Sequence, residues 1–190
     1  MTLYIKNMVC DRCIMAVRQL MENHGLHPSR IQLGEVELAE TTIEQNGLER
    51  LREALQGIGF ELMDDKKSRT IEKIKNSIIR LVHHTGEPPK LKYSELIAAE
   101  VGHDYPALSK LFSEVEGITI EQYLIRQKME KAKEYLIYDE LSLSEIADKM
   151  GYSSVAHLSG QFRKLTGMTP TAFKRLGNRP RSPLDQVGKQ

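Results

Sequence analysis

Cys10 and Cys13 stand three residues apart in Met8-Val-Cys-Asp-Arg-Cys13. Thiols at i and i+3 on a loop that enters a helix can converge on one soft metal ion. The partial positive charge of the helix N-terminus also favours the thiolate. The same pair could instead work as a redox dithiol, or be inert. Two cysteines cannot build a disulfide framework, and such sparse use suits a reducing compartment. His83 and His84 are the other soft donors of note. They fall where a helix is expected to end, and a helix C-terminus accommodates His without any ligand.

The elements that must hold these thiols are legible from periodicity. Leu3-Tyr-Ile-Lys-Asn-Met8 alternates as a strand, and Ile14, Val17 and Leu20/Met21 recur at helical spacing over Asp11 to Asn23. Ile31-Gln-Leu33 and Val36-Glu-Leu38 flank Gly34 as a hairpin. Leu48, Leu51 and Leu55 predict a second helix over 47–56, and Phe60-Glu-Leu-Met63 a last strand. The order β-α-β-β-α-β is that of a ferredoxin-like α+β domain, over residues 1–65. The charged run Asp64-Asp-Lys-Lys-Ser-Arg69 is the expected boundary. Residues 66–92 then form a junction and the first helix of an all-α half, with Ile71, Ile74, Ile78/Ile79 and Val82 on one face. Further helices are predicted at 93–101, 105–116, 119–137, 143–150, 154–165 and 170–176. The polar tail, 177–190, is expected to be disordered.

The helical half repeats itself. Gly102-His-Asp-Tyr-Pro-Ala-Leu-Ser-Lys-Leu-Phe112 with Gly117-Ile-Thr119 parallels Gly151-Tyr-Ser-Ser-Val-Ala-His-Leu-Ser-Gly-Gln-Phe162 with Gly167-Met-Thr169. Each copy follows a short helix carrying Ile97-Ala98 or Ile146-Ala147, and the second has one extra residue in its turn. A helix, a glycine turn, a polar cap and a second helix with a Leu-x-x-x-Phe face make a helix-turn-helix pattern, here in tandem over 93–176. Ala98 and Ala147 are small where two helices must cross closely. Asp104 and Ser153 are the expected N-caps. Leu108, Leu111, Phe112, Leu158, Phe162 and Leu165 are expected to face the core. The opposite faces, which would meet DNA, carry Tyr105, Pro106, Ser109, Lys110 and Ser113 in one copy. In the other they carry Ser154, Val155, Ala156, Ser159, Gly160 and Arg163.

At Leu143-Ser-Glu-Ile-Ala-Asp-Lys-Met-Gly-Tyr152, with Phe162-Arg-Lys-Leu-Thr-Gly167, Thr169-Pro170 and Phe173, the chain resembles the AraC/XylS family of bacterial regulators, over about residues 71–176. The resemblance implies two units joined by a long helix at about 119–137, each placing one helix in a major groove of double-stranded DNA. It also sets two departures. Glu114 and Glu116 stand where relatives carry lysines, which weakens phosphate attraction at the first unit. Gly160 stands where relatives often carry Arg, removing a potential guanine contact. The second unit is therefore expected to supply most of the affinity, with Arg163, Lys164, Lys174 and Arg175 on phosphates. RNA polymerase is a second candidate partner.

Over about residues 2–64 the chain resembles the heavy-metal-associated domain of copper chaperones and metal-pumping ATPases. That resemblance implies Cys10 and Cys13 as ligands of one soft ion, Cu(I) first and Zn as an alternative, with Met8 a buried anchor. Asn7 replaces the usual Gly, and Val9 the usual Thr or His.

Charge agrees with this division. Of 190 residues with net charge +1, residues 1–68 carry −3, residues 69–141 carry −1 and residues 142–190 carry +5. A basic end on an otherwise acidic chain suits a polyanionic partner. No run of about 18 apolar residues exists, so no membrane helix is expected. Nor does the start read as a signal peptide, and a cytoplasmic protein is expected. The leading expectation is a DNA-binding regulator that responds to a soft metal or to thiol redox state. The alternative is a metal-delivery protein whose helical half docks a partner. No clustered acid, base and nucleophile suggests an enzyme.

Overall fold

The computed structural model describes residues 1–63, 66–176 and 180–188. The chain divides into two compact units, Met1–Asn76 and Ser77–Gln190.

In the first unit the elements are β1 (Thr2–Lys6), α1 (Asp11–Asn23), β2 (Pro28–Gln32), β3 (Glu35–Leu38), α2 (Gln45–Gly57) and β4 (Glu61–Met63). The strands form one antiparallel sheet in the order β2-β3-β1-β4. Leu3 lies opposite Val36 and Ile5 opposite Leu62, so the period-two alternation seats all four on one face. Val17 and Met21 of α1 and Leu51 and Leu55 of α2 close that face into a core. Met8 is fully buried in it, as expected of an anchor.

The helix α3 (Lys66–Ile79) follows. The units divide within α3 rather than at the charged run before it, where Asp64 and Asp65 lie outside the described residues. The physical reason is that the first turns of α3 belong to the sheet domain. Glu72 accepts a hydrogen bond from the Asn7 backbone N–H at 2.8 Å, and the Asn76 side chain fills the space beside Gly34.

In the second unit, a π-helical turn (Arg80–His84) leads to α4 (Tyr93–Val101), α5 (Tyr105–Glu116), α6 (Ile120–Tyr138), α7 (Leu143–Lys149), α8 (Val155–Thr166) and α9 (Pro170–Arg175). The long α6 begins in a capping box, Thr119 with Gln122, and ends at Asp139 in the left-handed region. Between these ends it buries Gln127 and Glu130, which is costly unless both are satisfied. They are. The Gln127 amide donates to Tyr123 Oη at 2.9 Å and to the Leu184 carbonyl at 3.0 Å, and its oxygen faces His83 Nε2 at 2.9 Å. Glu130 pairs with Lys133 and accepts from the Ser182 N–H at 3.0 Å.

These contacts overturn the expectation of a disordered tail over residues 180–188. Arg181 pairs with Glu134 at 2.9 Å and Val187 is buried. A tail rich in Pro and polar residues reads as unstructured because its partners, the buried polar groups of α6, are some fifty residues away in sequence.

His83 gives this seam a pH dependence. Burial drives its pKa down to about 4, only partly opposed by the hydrogen bond to Gln127. The imidazole of the unfolded chain takes a proton at about pH 6.5. Protonation therefore favours unfolding between those values. The stability from neutral His83 is full above about pH 6.5 and is lost as pH falls toward 4, by about 3 kcal/mol in all. In urea melts at about pH 7 and pH 5, His83→Gln is expected to show a much smaller drop than the parent; an equal drop would contradict the burial of His83.

Candidate nucleic-acid interface and thiol pair

The two copies of the sequence repeat fold alike. In the first, Gly102 ends α4 at φ 77° and Asp104 caps α5, its Oδ2 accepting from the Ala107 N–H at 3.1 Å. In the second, Gly151 turns at φ 70° and Ser154 caps α8, its Oγ accepting from the His157 N–H at 3.2 Å. Left-handed backbone at each turn is what glycine supplies without strain. Ser154 rather than Ser153 is the cap, because the extra residue of the second turn moves the helix start along by one. Thr119 and Thr169 then cap the next helices alike, through the N–H groups of Gln122 and Ala172.

Behind each presented helix lies the same apolar triad. Leu108, Phe112 and Tyr123 are all buried, and the Phe112 and Tyr123 rings stand edge to face at 5.6 Å. Leu158 and Phe162 pack on Phe173, with rings edge to face at 5.5 Å. Phe173 is already among the residues that carry the resemblance, whereas its counterpart Tyr123 escapes the sequence reading although the signal is there. Tyr123 and Phe173 follow the matching threonines, Thr119 and Thr169, by the same four residues.

These triads fix which faces of α5 and α8 are free. Pro106 and Lys110 are exposed on α5, whereas Tyr105, Ser109 and Ser113 are half-buried. Ser113 Oγ donates back to the Ser109 carbonyl at 2.9 Å. Burial, with the Glu121 carboxylate, pushes the Tyr105 phenol pKa up, so it is a neutral donor. On α8, Ser154, Ala156, Gly160, Arg163 and Lys164 are exposed and Ser159 is half-buried. Val155 packs against the second core instead of standing free. Leu165, expected in the core, is 41% exposed: it lies on the last turn, beyond the reach of Phe173, and lines a groove with Lys164 and tail residues Ser182 and Val187. Leu111 is half-buried. On α9, Arg175 is exposed, and Lys174 forms an ion pair with Asp139. His157 lies outside this face, its ring edge to face with Tyr152 at 5.1 Å.

In the sheet domain Cys10 is the N-cap of α1, and its sulfur lies 3.6 Å from that of Cys13. Burial pushes the Cys10 thiol up, but hydrogen bonds from Cys13 and Arg12 outweigh it and leave the pKa lowered. Cys13 is more buried, and its pKa stays raised. The loop before them turns at Asn7, with φ 73°. Asn tolerates that region better than other residues with a Cβ. Its side chain also ties the loop to the Gly59 carbonyl at 2.9 Å. Among the described residues no group of three or more His, Cys, Asp or Glu is placed to hold a metal, so the cysteines offer two donors and no third. His83 faces Gln127 and is no part of a ligand set. Among the described residues no helix is long and apolar enough to cross a membrane.

A family model described as a helix-turn-helix domain matches residues 97–176. LumQ of Photobacterium leiognathi, a probable transcriptional regulator, is 38% identical over 64 residues, covering 34% of this chain and 26% of LumQ. YesN of Bacillus subtilis, an uncharacterized transcriptional regulatory protein, is 35% identical over 104 residues, covering 53% of this chain and 28% of YesN. The solved C-terminal domain of AraT, a response regulator from Geobacillus stearothermophilus, superposes with a TM-score of 0.49 at 27% identity, over 58% of this chain and 88% of that domain. The chain thus spans well under half the length of the curated relatives it matches. Residues 97–176 match a helix-turn-helix domain.

Gly160 sits inside α8 with nothing within 4 Å of where a Cβ would stand. Helix-interior glycine costs roughly 0.5–1 kcal/mol relative to Ala. Gly160→Ala is therefore expected to stabilise the fold by that much, read as a higher midpoint of urea unfolding. A loss of stability would mean that the face is covered.

Proposed function

We propose that this chain is a sequence-specific DNA-binding transcription regulator of the AraC/XylS type, fronted by a ferredoxin-like, heavy-metal-associated domain. One observation carries the first part: two copies of a capped helix pair, each locked by a Leu-Phe-aromatic triad, leave equivalent faces of α5 and α8 outward. The residues matched by the helix-turn-helix model and the regulator names of the relatives support the same reading.

In this reading α5 and α8 enter successive major grooves about one helical turn, roughly 34 Å, apart. Tyr105, Pro106, Ser109, Lys110 and Ser113 face bases and backbone in one groove. Ser154, Ala156, Ser159, Gly160 and Arg163 do so in the other, with Val155 contributing at most its exposed edge. Lys164, Lys174 and Arg175 neutralise phosphates. Lys174 must exchange Asp139 for a phosphate, a small cost because an ion pair with 39% and 62% exposed side chains is weak in water. Replacing Lys164 and Arg175 together with Ala removes two phosphate contacts. The slope of log affinity against log salt should fall by about 1.8, as read by fluorescence anisotropy on duplex DNA. An unchanged slope would remove these residues from the interface.

The front unit is proposed to sense a soft ion through Cys10 and Cys13. Two sulfurs at the head of α1, with no third donor grouped with them among the described residues, suit a low-coordinate soft cation such as Cu(I) better than a closed tetrahedral zinc site. The ion would join the two thiolates and fix the β1–α1 loop; the residues' own part is to release protons, Cys10 first given its lowered pKa. In competition titrations against a Cu(I) chelator, the parent is expected to take up one ion, and Cys10→Ser/Cys13→Ser none. Equal uptake by both would rule the pair out.

A further inference from the structure

Lys128 lies in the middle of α6, half-buried, where a long flexible cation is costly to order. Its Nζ sits 4.7 Å from the centroid of the Tyr93 ring and 5.5 Å from that of Tyr152. It also donates to the Met150 carbonyl at 2.8 Å. Tyr93 is the first residue of α4, in the first helix-turn-helix unit. Met150 and Tyr152 form the turn between α7 and α8, in the second. One ammonium on the connecting helix therefore touches both units, through an aromatic face of each and the C-cap carbonyl of α7.

Its surroundings are built for a cation and not for an ion pair. Among the described residues no carboxylate lies within salt-bridge distance of Lys128. Glu87 and Lys149 line the same small recess with Leu81, Val82 and Tyr135. The ring faces supply negative potential without the desolvation cost of a second buried charge. Burial lowers the Lys128 pKa, as expected of an ammonium without an acidic partner. Gly151, in the turn, lies directly beside this cation: a Cβ there would be in ordinary contact with Pro88 Cβ at 3.4 Å and with Lys128 Nζ at 3.7 Å.

We infer that Lys128 is a positioning residue that clamps the two helix-turn-helix units at one mutual angle, so that α5 and α8 are presented in register before any duplex is met. The clamp rests on the DNA-binding reading only for its purpose; its existence is a property of the free protein. By holding the free chain in its bound geometry it removes part of the ordering cost of engaging two grooves at once.

The test separates those two levels. In a Cys10→Ser/Cys13→Ser background of the full chain, spin labels at Glu114→Cys on α5 and Thr171→Cys on α9 report the distance between the units without DNA. The parent is expected to give one narrow distance distribution. Lys128→Met, which keeps the length of the side chain and loses the charge, should broaden it; Lys128→Arg, which keeps a cation over the rings, should not. Unlabelled Lys128→Met should bind a duplex containing both half-sites roughly tenfold more weakly, and a single half-site as the parent does. A distribution as narrow in Lys128→Met as in the parent overturns the clamp, whatever the affinities. Failure of the parent to prefer any duplex sinks the DNA reading while leaving the clamp to stand or fall on the distances. Should Lys128→Met not fold, Tyr93→Leu/Tyr152→Leu, which leaves α6 untouched, carries the same expectation.

Discussion

The edge-to-face packing of Phe112 on Tyr123, and of Phe162 on Phe173, is the constraint on which the helical half depends. A helix of twelve residues is marginal alone in water and takes its stability from the face it buries. Leu108 with Phe112, and Leu158 with Phe162, supply that face at a spacing of four. Once the rings are seated, rotation of α5 or α8 about its own axis is settled, and with it the identity of the outward residues. The left-handed glycines and the Asp104 and Ser154 caps set where each helix starts. The rings set which way it faces. Displacement of either ring would alter the interface without touching any residue in it.

That dependence explains what was legible in the sequence. The apolar period of each helix is a local signal, and the bounds of α1, α4 and α5 follow from it directly. The order of strands and helices in the first unit was legible for the same reason. The features that escaped are those whose cause is distant. Tail residues 180–188 carry no periodicity, and what holds them is the buried polar edge of α6. His83 reads as a helix-end histidine until Gln127 is brought against it. Leu165 continues the apolar pattern of α8 but outruns the core beneath it. For the tail and for His83, a contact more than forty residues away decided the outcome.

The connecting helix brings these distant contacts together. Gln127 and Lys128 are neighbours in sequence and point to different surroundings: the first to His83, Tyr123 and the tail, the second to Tyr93, Tyr152 and Met150. A purely apolar α6 could bury as much surface, but apolar contacts are non-directional and tolerate sliding. Hydrogen bonds and cation–ring contacts have preferred geometries, and a buried polar group left unmatched is costly. The polar residues of α6 therefore select one arrangement among several that hydrophobic burial alone would allow.

The two units differ in how far stability and charge agree. In α8 the last turn carries Arg163 and Lys164, which suit the negative end of the helix dipole and are the same charges that a phosphate backbone would attract. In α5 the last turn has no basic residue, and Glu114 and Glu116 oppose the dipole and would repel phosphate. Anion binding does not account for those two acids. The first unit is thus carried into place by its triad, by Asp104 and by the shared contacts of Lys128, and contributes shape and the few polar groups of α5. The second brings most of the positive charge. A chain of net charge +1 can in this way meet a polyanion, because residues 142–190 carry +5 while the compensating acids lie earlier in the sequence.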